Sequence, residues 1–461
     1  MPLPSLRKNF FLDFVLFYVS LIFPVVFYLA LTYYFVARPN EFDSVVDGVM
    51  MFFKLFWYGG IILVPTSFVA FFLYGSPLRR NQRNLRGLQA QGWNEELLLN
   101  VVYVSKGVNV EALARSTSES LRLLEEWGVR GRIEVVTDLP VKKSFPKEAR
   151  KAVHFVQVPV DYVTPNKALY KARALQYALE KRDLKEESKN VYNLHLDEES
   201  QLTPEVLAGI HRFLRDPANR ESVGQGEIQY NAYNYGEKKL ITAIDSIRTG
   251  DDLGRFRFQL KLMHRPLFGL HGSFLFIPQI IERRIGFDLG GKGSITEDAY
   301  FALLAADQGV KFDWIDGHIR EQSPFTIRDV LRQRRRWISG LEILASDSLM
   351  KLSTRLPLRI NLVLWEVAWV SMLITIINIV VGGSYYPIWM SYLAGFLTGG
   401  YISLYTVGAY RNLRGVNYSL LYKLYIYVLV FLLVPLAAIV EAISVVYALV
   451  YPMKTFEVVQ K

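Results

Sequence analysis

Five long apolar segments constrain this chain more than any other feature of its sequence. They cover residues 10–36, 50–74, 360–381, 386–407 and 424–451. Each exceeds the roughly 20 residues that a helix needs to cross the hydrocarbon core of a bilayer. The first segment is too long for the core of a signal peptide and has no clear cleavage site, so we expect it to be retained. The sequence therefore predicts an integral membrane protein with a polar middle from about Gly75 to Leu358.

The charges beside these segments predict how the chain is oriented. The loop between the first two segments, residues 37–48, holds three acidic residues and one arginine, whereas four arginines follow the second segment at 79–86. Under the positive-inside rule, the N-terminus and the polar middle are cytoplasmic. Such flanking residues explain most of the net charge of +10, so nucleic-acid binding is not expected.

Missing residues and motifs exclude several kinds of chemistry. The chain has no cysteine, which excludes disulfides, thiolate metal sites and cysteine nucleophiles. It contains neither G-x-G-x-x-G nor G-x-x-x-x-G-K-[ST], which argues against dinucleotide binding and P-loop chemistry.

The polar middle alternates between strand patterns and helix patterns. Continuous apolar runs predict strands at 97–105, 131–138, 152–160 and 191–197. This alternation is typical of a parallel sheet with helices on both faces. Ligands of such sheets bind beyond the carboxyl ends of the strands, so Asp138 and Asp197 should point into one crevice. Residues 224–254, rich in Gly, Asn and Asp, are expected to form a long excursion over it.

The stretch "LHLDEES" places acidic residues at the end of the fourth predicted strand. Asp197 and Glu199 are two positions apart and should leave on one side, while Glu198 should face the other way. Two carboxylates at a strand end suit a hard divalent cation that keeps coordination positions for phosphate oxygens. The alternative is a solvated acidic loop without a ligand.

The stretch "GSITEDAYFALL" predicts the start of a helix. Ser294 and Glu297 fit a capping box, which leaves Asp298 in the first helical turn. The helix dipole favours an ionised carboxylate there, ready to accept a proton. Helix capping alone is the alternative interpretation of the same residues.

The stretch "RQRRRWISG" lies upstream of the third apolar segment. On a helix, Gln333, Arg336 and Trp337 share one face, where an arginine can clamp a diphosphate while the indole packs on a sugar or base. The other three arginines, Arg332, Arg334 and Arg335, should face water or lipid headgroups. A simple membrane-flanking basic cluster is the alternative.

Taken in order, these pieces resemble the membrane-bound family 2 glycosyltransferases of the cellulose-synthase-like group. The resemblance covers about residues 97–340. The stretches "EVVTD", "YKARALQYALE", "HLDEES", "SPF" and "QRRRW" are most similar to the egghead-type β-mannosyltransferases, including their archaeal relatives. The resemblance implies an α/β nucleotide-sugar-binding domain of the GT-A type, with a mainly parallel sheet, joined to an α-helical transmembrane domain.

The resemblance also implies a role for individual residues. Asp298 corresponds to the general base, and Asp197 and Glu199 correspond to the D-x-D metal motif, from which the glutamate departs. Nucleotide or diphosphate binding is implied for Asp138, Lys171, Asp197 and Arg336. Acceptor binding is expected for Gln333, Trp337 and Glu297 of these motifs. We also expect it for Gly272, because a Gly-Ser turn before an apolar run allows a ligand to approach the backbone closely; a plain tight turn is the alternative.

The activity implied by the resemblance is inverting transfer of mannose from GDP-mannose to a lipid-linked acceptor. The product would be a β-mannoside, the cofactor a divalent cation (Mn²⁺ or Mg²⁺), and the acceptor a dolichol-type carrier of N-glycan assembly or a glycolipid. A processive polysaccharide synthase using a UDP-sugar is the second interpretation, because it shares Q-x-x-R-W. A channel, transporter or inactive scaffold is the third. The residues themselves do not choose between guanine and uracil.

Three parts of the chain are expected. Residues 1–94 hold two transmembrane helices and a basic linker, 95–340 form the cytoplasmic catalytic domain, and 341–461 hold interfacial and C-terminal transmembrane helices. The tail "FEVVQK" resembles the gating loop of cellulose synthases, with Val459 where threonine is usual, so residues 454–461 should lie on the cytoplasmic side. An ordinary frayed terminus is the alternative. Five crossings would put them outside, so we expect one apolar segment to lie in the membrane interface or to be split; the candidate is 424–451, which Pro435 can interrupt.

Overall fold

The computed structural model of the protein describes residues 10–36, 45–182, 190–233, 235–381 and 387–453. The strands are β1 Leu98–Ser105, β2 Gly131–Thr137, β3 Val153–Gln157, β4 Val191–Asp197, β5 Val223–Gln229, β6 Leu275–Pro278 and β7 Phe312–Arg320. The helices before β4 are α1 Phe10–Leu31, α2 Val45–Lys54, α3 Leu63–Tyr74, α4 Leu78–Gln91, α5 Val110–Glu126, α6 Lys147–Ala152 and α7 Tyr170–Lys181. Those after β4 are α8 Pro204–Leu214, α9 Lys239–Asp251, α10 Gln279–Ile285, α11 Gly290–Gly293, α12 Glu297–Asp307, α13 Ile327–Ser346, α14 Leu352–Val381, α15 Ile388–Arg414 and α16 Leu420–Val450.

In the described part of the chain, seven strands form one sheet in the order β3-β2-β1-β4-β6-β5-β7. The pairs β2–β3, β1–β2, β1–β4 and β5–β7 are parallel, and β6 runs antiparallel to both of its neighbours. The predicted mainly parallel sheet is thus confirmed, with its first four strands near the expected bounds. The expectation of a long excursion at 224–254 is wrong, because β5 and α9 occupy most of that range.

Helices cover both faces of the sheet, as the sequence pattern predicts. Alternate residues of β1 point to opposite faces. Val101 packs in a core that also contains side chains of α4, α5 and α8. Val102 packs in a second core with side chains of α7 and α12, and this core also includes Phe17 of α1 and Leu404 of α15. Helices expected to enter the membrane therefore share a hydrophobic core with the sheet.

Close backbone contact fixes α9 against α15. A Cβ atom added to Gly408 would lie 1.8 Å from the backbone oxygen of Ser246, and one added to Gly250 would lie 2.0 Å from that of Leu404. Only glycine allows this approach at either position. The packing places α9, which borders the candidate site, directly on a long helix of the C-terminal part.

Three helical stretches in the described residues are long and apolar enough to cross a membrane: Phe10–Tyr34, Met51–Tyr74 and Leu420–Val450. They correspond to three of the five predicted segments. Of the remaining two, 360–381 lies within α14 and residues 388–407 lie within α15; their crossing of the membrane stays a prediction. The expected interruption at Pro435 is wrong, since α16 is helical throughout with Pro435 inside it. The proposed gating tail, residues 454–461, lies outside the described residues.

Candidate active site

The carboxyl ends of β1, β2 and β4 lie level with one another. In the register of the sheet, Val104 pairs with Asp197, and Ser105 pairs with Thr137, the residue before Asp138. A cavity of about 860 Å³ opens beyond these ends. Its lining includes every predicted site residue, namely Asp138, Lys171, Asp197, Glu199, Gly272, Glu297, Asp298, Gln333, Arg336 and Trp337. The sheet, α12 and α13 thus bring residues from distant parts of the sequence to one space, while their individual roles stay predictions.

Lys171 lies at the centre of the acidic residues in this cavity. Its Nζ atom donates a hydrogen bond of 2.7 Å to Asp197 Oδ1 and lies 3.6 Å from Glu297 Oε1. Burial alone would lower the pKa of Lys171, but the charges of Asp197 and Glu297 outweigh it and raise the pKa above its ordinary value. The lysine is therefore a permanent cation that partly neutralises the carboxylates before any ligand binds.

Asp197 and Glu199 are suited to hold a divalent cation together with a ligand. Both line the cavity, and both offer the carboxylate oxygens that Mg²⁺ and Mn²⁺ prefer. Among the described residues, no cluster of three or more His, Asp or Glu side chains is arranged as a metal site. The residues present therefore fit a cation bound by one or two carboxylates and completed by phosphate oxygens and water, and they do not form an all-protein cage.

At the strand ends, the structure overturns the expected direction of Glu198 and adds a partner for Asp138. Glu198 does not face away: it lines the cavity and accepts a hydrogen bond from Ser105 Oγ, because the strand ends at Asp197 and its alternation stops there. Asp138 forms an ion pair with Arg173, a residue of α7 that the sequence analysis did not select. Arg173 follows Lys171 by two positions, and only the structure shows that it reaches the end of β2.

Buried Glu297 and half-buried Asp298 form a pair of carboxyl groups at the start of α12. The expected capping box is absent: Thr296 is the N-cap residue, and Ser294 Oγ donates to the backbone oxygen of Gly290. Glu297 is instead directed towards Lys171.

Burial and charge set the protonation of this pair. Burial raises the pKa of Glu297, the charge of Lys171 opposes this, and the charge of Asp298 raises it further, to about 7. Burial also raises the pKa of Asp298 above its ordinary value, although Lys171 and the backbone N–H of Ala299 oppose the shift. A carboxylate whose pKa is raised towards neutrality is a stronger proton acceptor when it is ionised.

Two glycines allow the site to close around Asp298. A Cβ atom on Gly272 would lie 2.9 Å from Asp298 Oδ2 and 3.1 Å from Lys171 Nζ, so a larger residue would displace both charged groups. A Cβ atom on Gly340 would lie 2.3 Å from Thr296 Cγ2. Gly340 thereby lets α13 pack directly against the residue that begins the helix of Asp298.

The helix α13 presents Gln333, Arg336 and Trp337 to the cavity, as the spacing predicts. The expectation that Arg334 faces water or lipid is wrong. Its side chain is 3% exposed, and its Nε atom donates a 3.0 Å hydrogen bond to Glu441 of α16. The guanidinium carbon of Arg334 also lies 4.5 Å from the centroid of the Trp337 ring. A half-buried carboxylate on α16 can thus hold the arginine beside the indole, which no feature of the pattern around Arg334 indicated.

The same cavity continues between the helices of the C-terminal part. Its lining there includes Trp365, Trp369, Tyr401 and Tyr405 in addition to Glu441. Trp365 Nε1 donates a 3.2 Å hydrogen bond to Glu441 Oε1. The carboxylate cluster is therefore joined to an aromatic chamber among helices that include the apolar α16.

Sequence reasoning also missed the side chains around His271. His271 Nε2 lies 2.7 Å from Asp252 Oδ1, and the imidazole stacks on Phe256 with a ring distance of 4.3 Å. Arg248 of α9 lines the cavity nearby and contacts the Trp337 ring at 4.8 Å. Asp252 and Arg248 lie in the range that was expected to be an excursion, so no strand or helix pattern placed their side chains near the site.

Comparison with known proteins places the chain among glycosyltransferases. Residues 193–457 match the model of "Glycosyl transferase family group 2". The chain is 35% identical over 340 residues to the β-1,4-mannosyltransferase egh of Drosophila melanogaster, covering 71% of this chain and 70% of that protein. It is 37% identical to the β-1,4-mannosyltransferase bre-3 of Caenorhabditis elegans over 57% of this chain and 56% of that protein. A solved mannosyltransferase from Pyrobaculum calidifontis, in complex with GDP-Man and Mn²⁺, aligns with a TM-score of 0.39 and 13% identity over 78% of this chain and all of that one.

Proposed function

The chain belongs to glycosyl transferase family group 2 and, within it, to the egghead-type mannosyltransferases, and we propose that it moves mannose from GDP-mannose to a lipid-linked acceptor. The proposed transfer inverts the anomeric centre and forms a β-mannoside. One observation carries the proposal. Asp197 at a strand end, Asp298 at a helix start and Trp337 on α13 line one cavity in a chain related to β-1,4-mannosyltransferases.

The donor diphosphate is proposed to lie between Asp197 and Arg336. A divalent cation held there by Asp197 and Glu199 would neutralise charge on the diphosphate as it leaves. Arg336 donates to the same leaving group, and Lys171 offsets the negative charge of the surrounding carboxylates. Asp138, with Arg173 beside it, is proposed to contact the nucleoside at the end of β2.

Asp298 is proposed as the base that accepts the proton of the acceptor hydroxyl. An alcohol has a pKa far above neutrality, so its attack on the anomeric carbon needs a positioned proton acceptor. A single displacement on an α-linked donor then gives a β product. Gly272 leaves Asp298 Oδ2 accessible, and Lys171 stabilises the ionised form of the pair in which Asp298 can act.

The acceptor is proposed to reach Asp298 from the side of the helices. The cavity that contains Asp298 continues to Trp365 and Glu441 between α14 and α16. Such a chamber suits a dolichol-type carrier or a glycolipid whose reactive group leaves the bilayer while its chain remains there. Together with the positive-inside charge pattern, this supports a multi-pass membrane enzyme whose catalytic domain is cytoplasmic.

The proposal is tested by incubating the purified full-length protein with labelled sugar nucleotides and lipid acceptors, with and without Mn²⁺. We expect single additions of mannose from GDP-mannose, a β-configured product by NMR, and loss of transfer when a chelator removes the divalent cation. Transfer from UDP-sugars into long chains would instead identify a processive synthase. Absence of turnover with every sugar nucleotide would contradict an enzymatic function.

A further inference from the structure

The loop of residues 271–273 lies at the edge of the sheet where Asp197 ends β4. Because β6 runs antiparallel to β4, the residues that precede β6 come to the carboxyl end of β4. All three residues of the loop line the cavity. A Cβ atom on Gly272 would lie 2.9 Å from Asp298 Oδ2. The loop therefore borders both the candidate metal ligand and the candidate base.

A series of buried hydrogen bonds joins this loop to Asp197 and to the residue that follows β7. The backbone N–H of Asp197 donates to Ser273 Oγ at 3.3 Å. Ser273 Oγ lies 2.8 Å from Ser200 Oγ, which donates in turn to Glu321 Oε1 at 2.9 Å. The side chains of Ser200, Ser273 and Glu321 are all buried, so water competes little for these bonds.

The chemistry of the hydroxyl groups fixes the direction of this series. A hydroxyl has one hydrogen to donate. Since Ser200 donates its hydrogen to the Glu321 carboxylate, it must accept from the hydroxyl of Ser273, whose oxygen accepts from the N–H of Asp197. Every donor thus points towards Glu321, and hydrogen bonds that run in one direction polarise one another. The carboxylate therefore sets the orientation of both hydroxyl groups.

The main chain at both sides of the series is itself held in place. The N–H of Glu321 donates to the carbonyl oxygen of Gln229 at 2.8 Å. On the other side of the loop, Gln225 of β5 donates from Nε2 to the carbonyl oxygen of His271 at 2.8 Å. The loop is thus tied to β5 and to the end of β7, and it provides a fixed reference for the end of β4.

We propose that Glu321 is a positioning residue, which acts through Ser200 and Ser273 to fix the main chain of Asp197 where its carboxylate meets the divalent cation. The side chain of Asp197 is 34% exposed, so burial alone does not hold it. Lys171 holds one carboxylate oxygen, and the series fixes the backbone from which that carboxylate projects. The inference rests on the proposed function, because that function assigns the cation to Asp197.

The test compares Ser200→Ala, Ser273→Ala and Glu321→Ala in the full-length protein in detergent. Calorimetry measures GDP binding first with a chelator and then over a titration of Mn²⁺, and the readout is the Mn²⁺ concentration that gives half of the full increase in GDP affinity. We expect each variant to raise this concentration about tenfold or more, as removal of residues that orient metal ligands does in other proteins. GDP affinity in the chelator should change less than twofold, because the series acts on the metal ligand.

Matched variants separate this positioning role from a general loss of structure. Ser222→Ala removes a buried hydroxyl that donates to the carbonyl oxygen of Ala218, and it should leave the Mn²⁺ response unchanged. Glu321→Gln keeps an acceptor oxygen for Ser200 and should retain more of the response than Glu321→Ala. The double variant Ser200→Ala/Ser273→Ala should lose no more than the larger single loss, since both serines belong to one series.

An unchanged Mn²⁺ response in both serine variants would overturn the proposal, even with Glu321→Ala impaired, because the carboxylate would then act without them. An equal loss of GDP affinity in the chelator would also overturn it, since the damage would not be specific to the metal. GDP binding by the unmodified protein that does not respond to Mn²⁺ would overturn both this inference and the proposed cation. Absence of a mannosylated product despite an intact Mn²⁺ response would contradict the proposed transfer alone.

Discussion

Lys171 Nζ donates a 2.7 Å hydrogen bond to Asp197 Oδ1, linking the helix α7 to the strand end that carries the candidate metal ligands. The same ammonium group lies 3.6 Å from Glu297 of the candidate base pair. One lysine thus connects the two acidic parts of the site and balances both. Replacement of this cation should therefore affect donor binding and proton transfer together.

For Lys171→Met we expect kcat/KM at pH 7 to fall by about 100-fold or more, since a preorganised charge in a water-poor site is lost. The pKa values of Glu297 and Asp298 should rise further, because Lys171 is a charge that lowers them. Initial-rate measurements at several pH values would show both effects. Lys171→Arg keeps the charge and should retain more activity; equal losses in the two variants would show that the charge is not what matters.

The Glu297–Asp298 pair predicts an acidic limb in the pH profile of kcat/KM. Burial raises the pKa of Glu297 to about 7, so the pair takes up a proton below that pH and its capacity to act as a base declines. Glu297→Gln removes one negative charge and should move the midpoint to lower pH. A profile that is flat between pH 5 and 8, or a midpoint unchanged by Glu297→Gln, would contradict this assignment.

The raised pKa of Glu297 also predicts how the free energy of unfolding changes with pH. Because its pKa in the folded protein lies above the ordinary value of 4.5, Glu297 retains a proton that the unfolded chain releases between about pH 4.5 and 7. The contribution of this residue to the free energy of unfolding is fully present below that range and decreases as the pH rises through it. Thermal unfolding of Glu297→Gln should therefore depend less on pH in this window than that of the unmodified protein.

Gly340→Ala should separate α13 from the start of α12. The new Cβ atom would lie 2.3 Å from Thr296 Cγ2, and relief of this overlap by helix movement costs about 1–3 kcal/mol. Both the melting temperature and the transfer rate should fall. The double variant Gly340→Ala/Thr296→Ala removes the overlapping atoms and should recover most of the loss; additive losses would show that the contact is not the cause.

The ion pair between Arg334 and Glu441 gives a further prediction for stability. Glu441→Ala would leave the guanidinium of Arg334, which is 3% exposed, without this carboxylate. Because Glu441 itself is 21% exposed, we expect a cost below the about 3–5 kcal/mol of a fully buried pair. We expect a lower melting temperature in detergent and weaker acceptor binding, because Arg334 contacts Trp337. Adding Arg334→Met should restore part of the stability. A Glu441→Ala protein as stable as the unmodified one would contradict the structural role of the pair.

The sequence predicted the part of the site that local patterns determine. Asp138 and Asp197 end apolar runs, so their places at the carboxyl edge of a parallel sheet followed from the strand pattern. Gln333, Arg336 and Trp337 shared a helical face by their spacing alone. In each case the side-chain direction depends on a single element of secondary structure.

The features that the sequence did not predict depend on contacts between distant elements. Arg334 was expected to face outward, since nothing near residue 334 indicates a carboxylate partner 107 positions later on α16. Ser294 was assigned a capping role by its spacing, yet the helix begins after Thr296. The polar residues of 224–254 resembled a loop because β5 is a buried strand without an apolar run, and its glycines fit against Ile315 and Phe274.

The central claim is that Asp298 accepts the proton of the acceptor in a cavity that independently binds the nucleotide. Asp298→Asn tests it most directly, with GDP binding measured by calorimetry and mannosyl transfer measured from labelled GDP-mannose on the same preparation. We predict a GDP dissociation constant within twofold of the unmodified value and a transfer rate lower by about 100- to 10,000-fold. Transfer that persists, or GDP binding lost together with transfer, would contradict the claim.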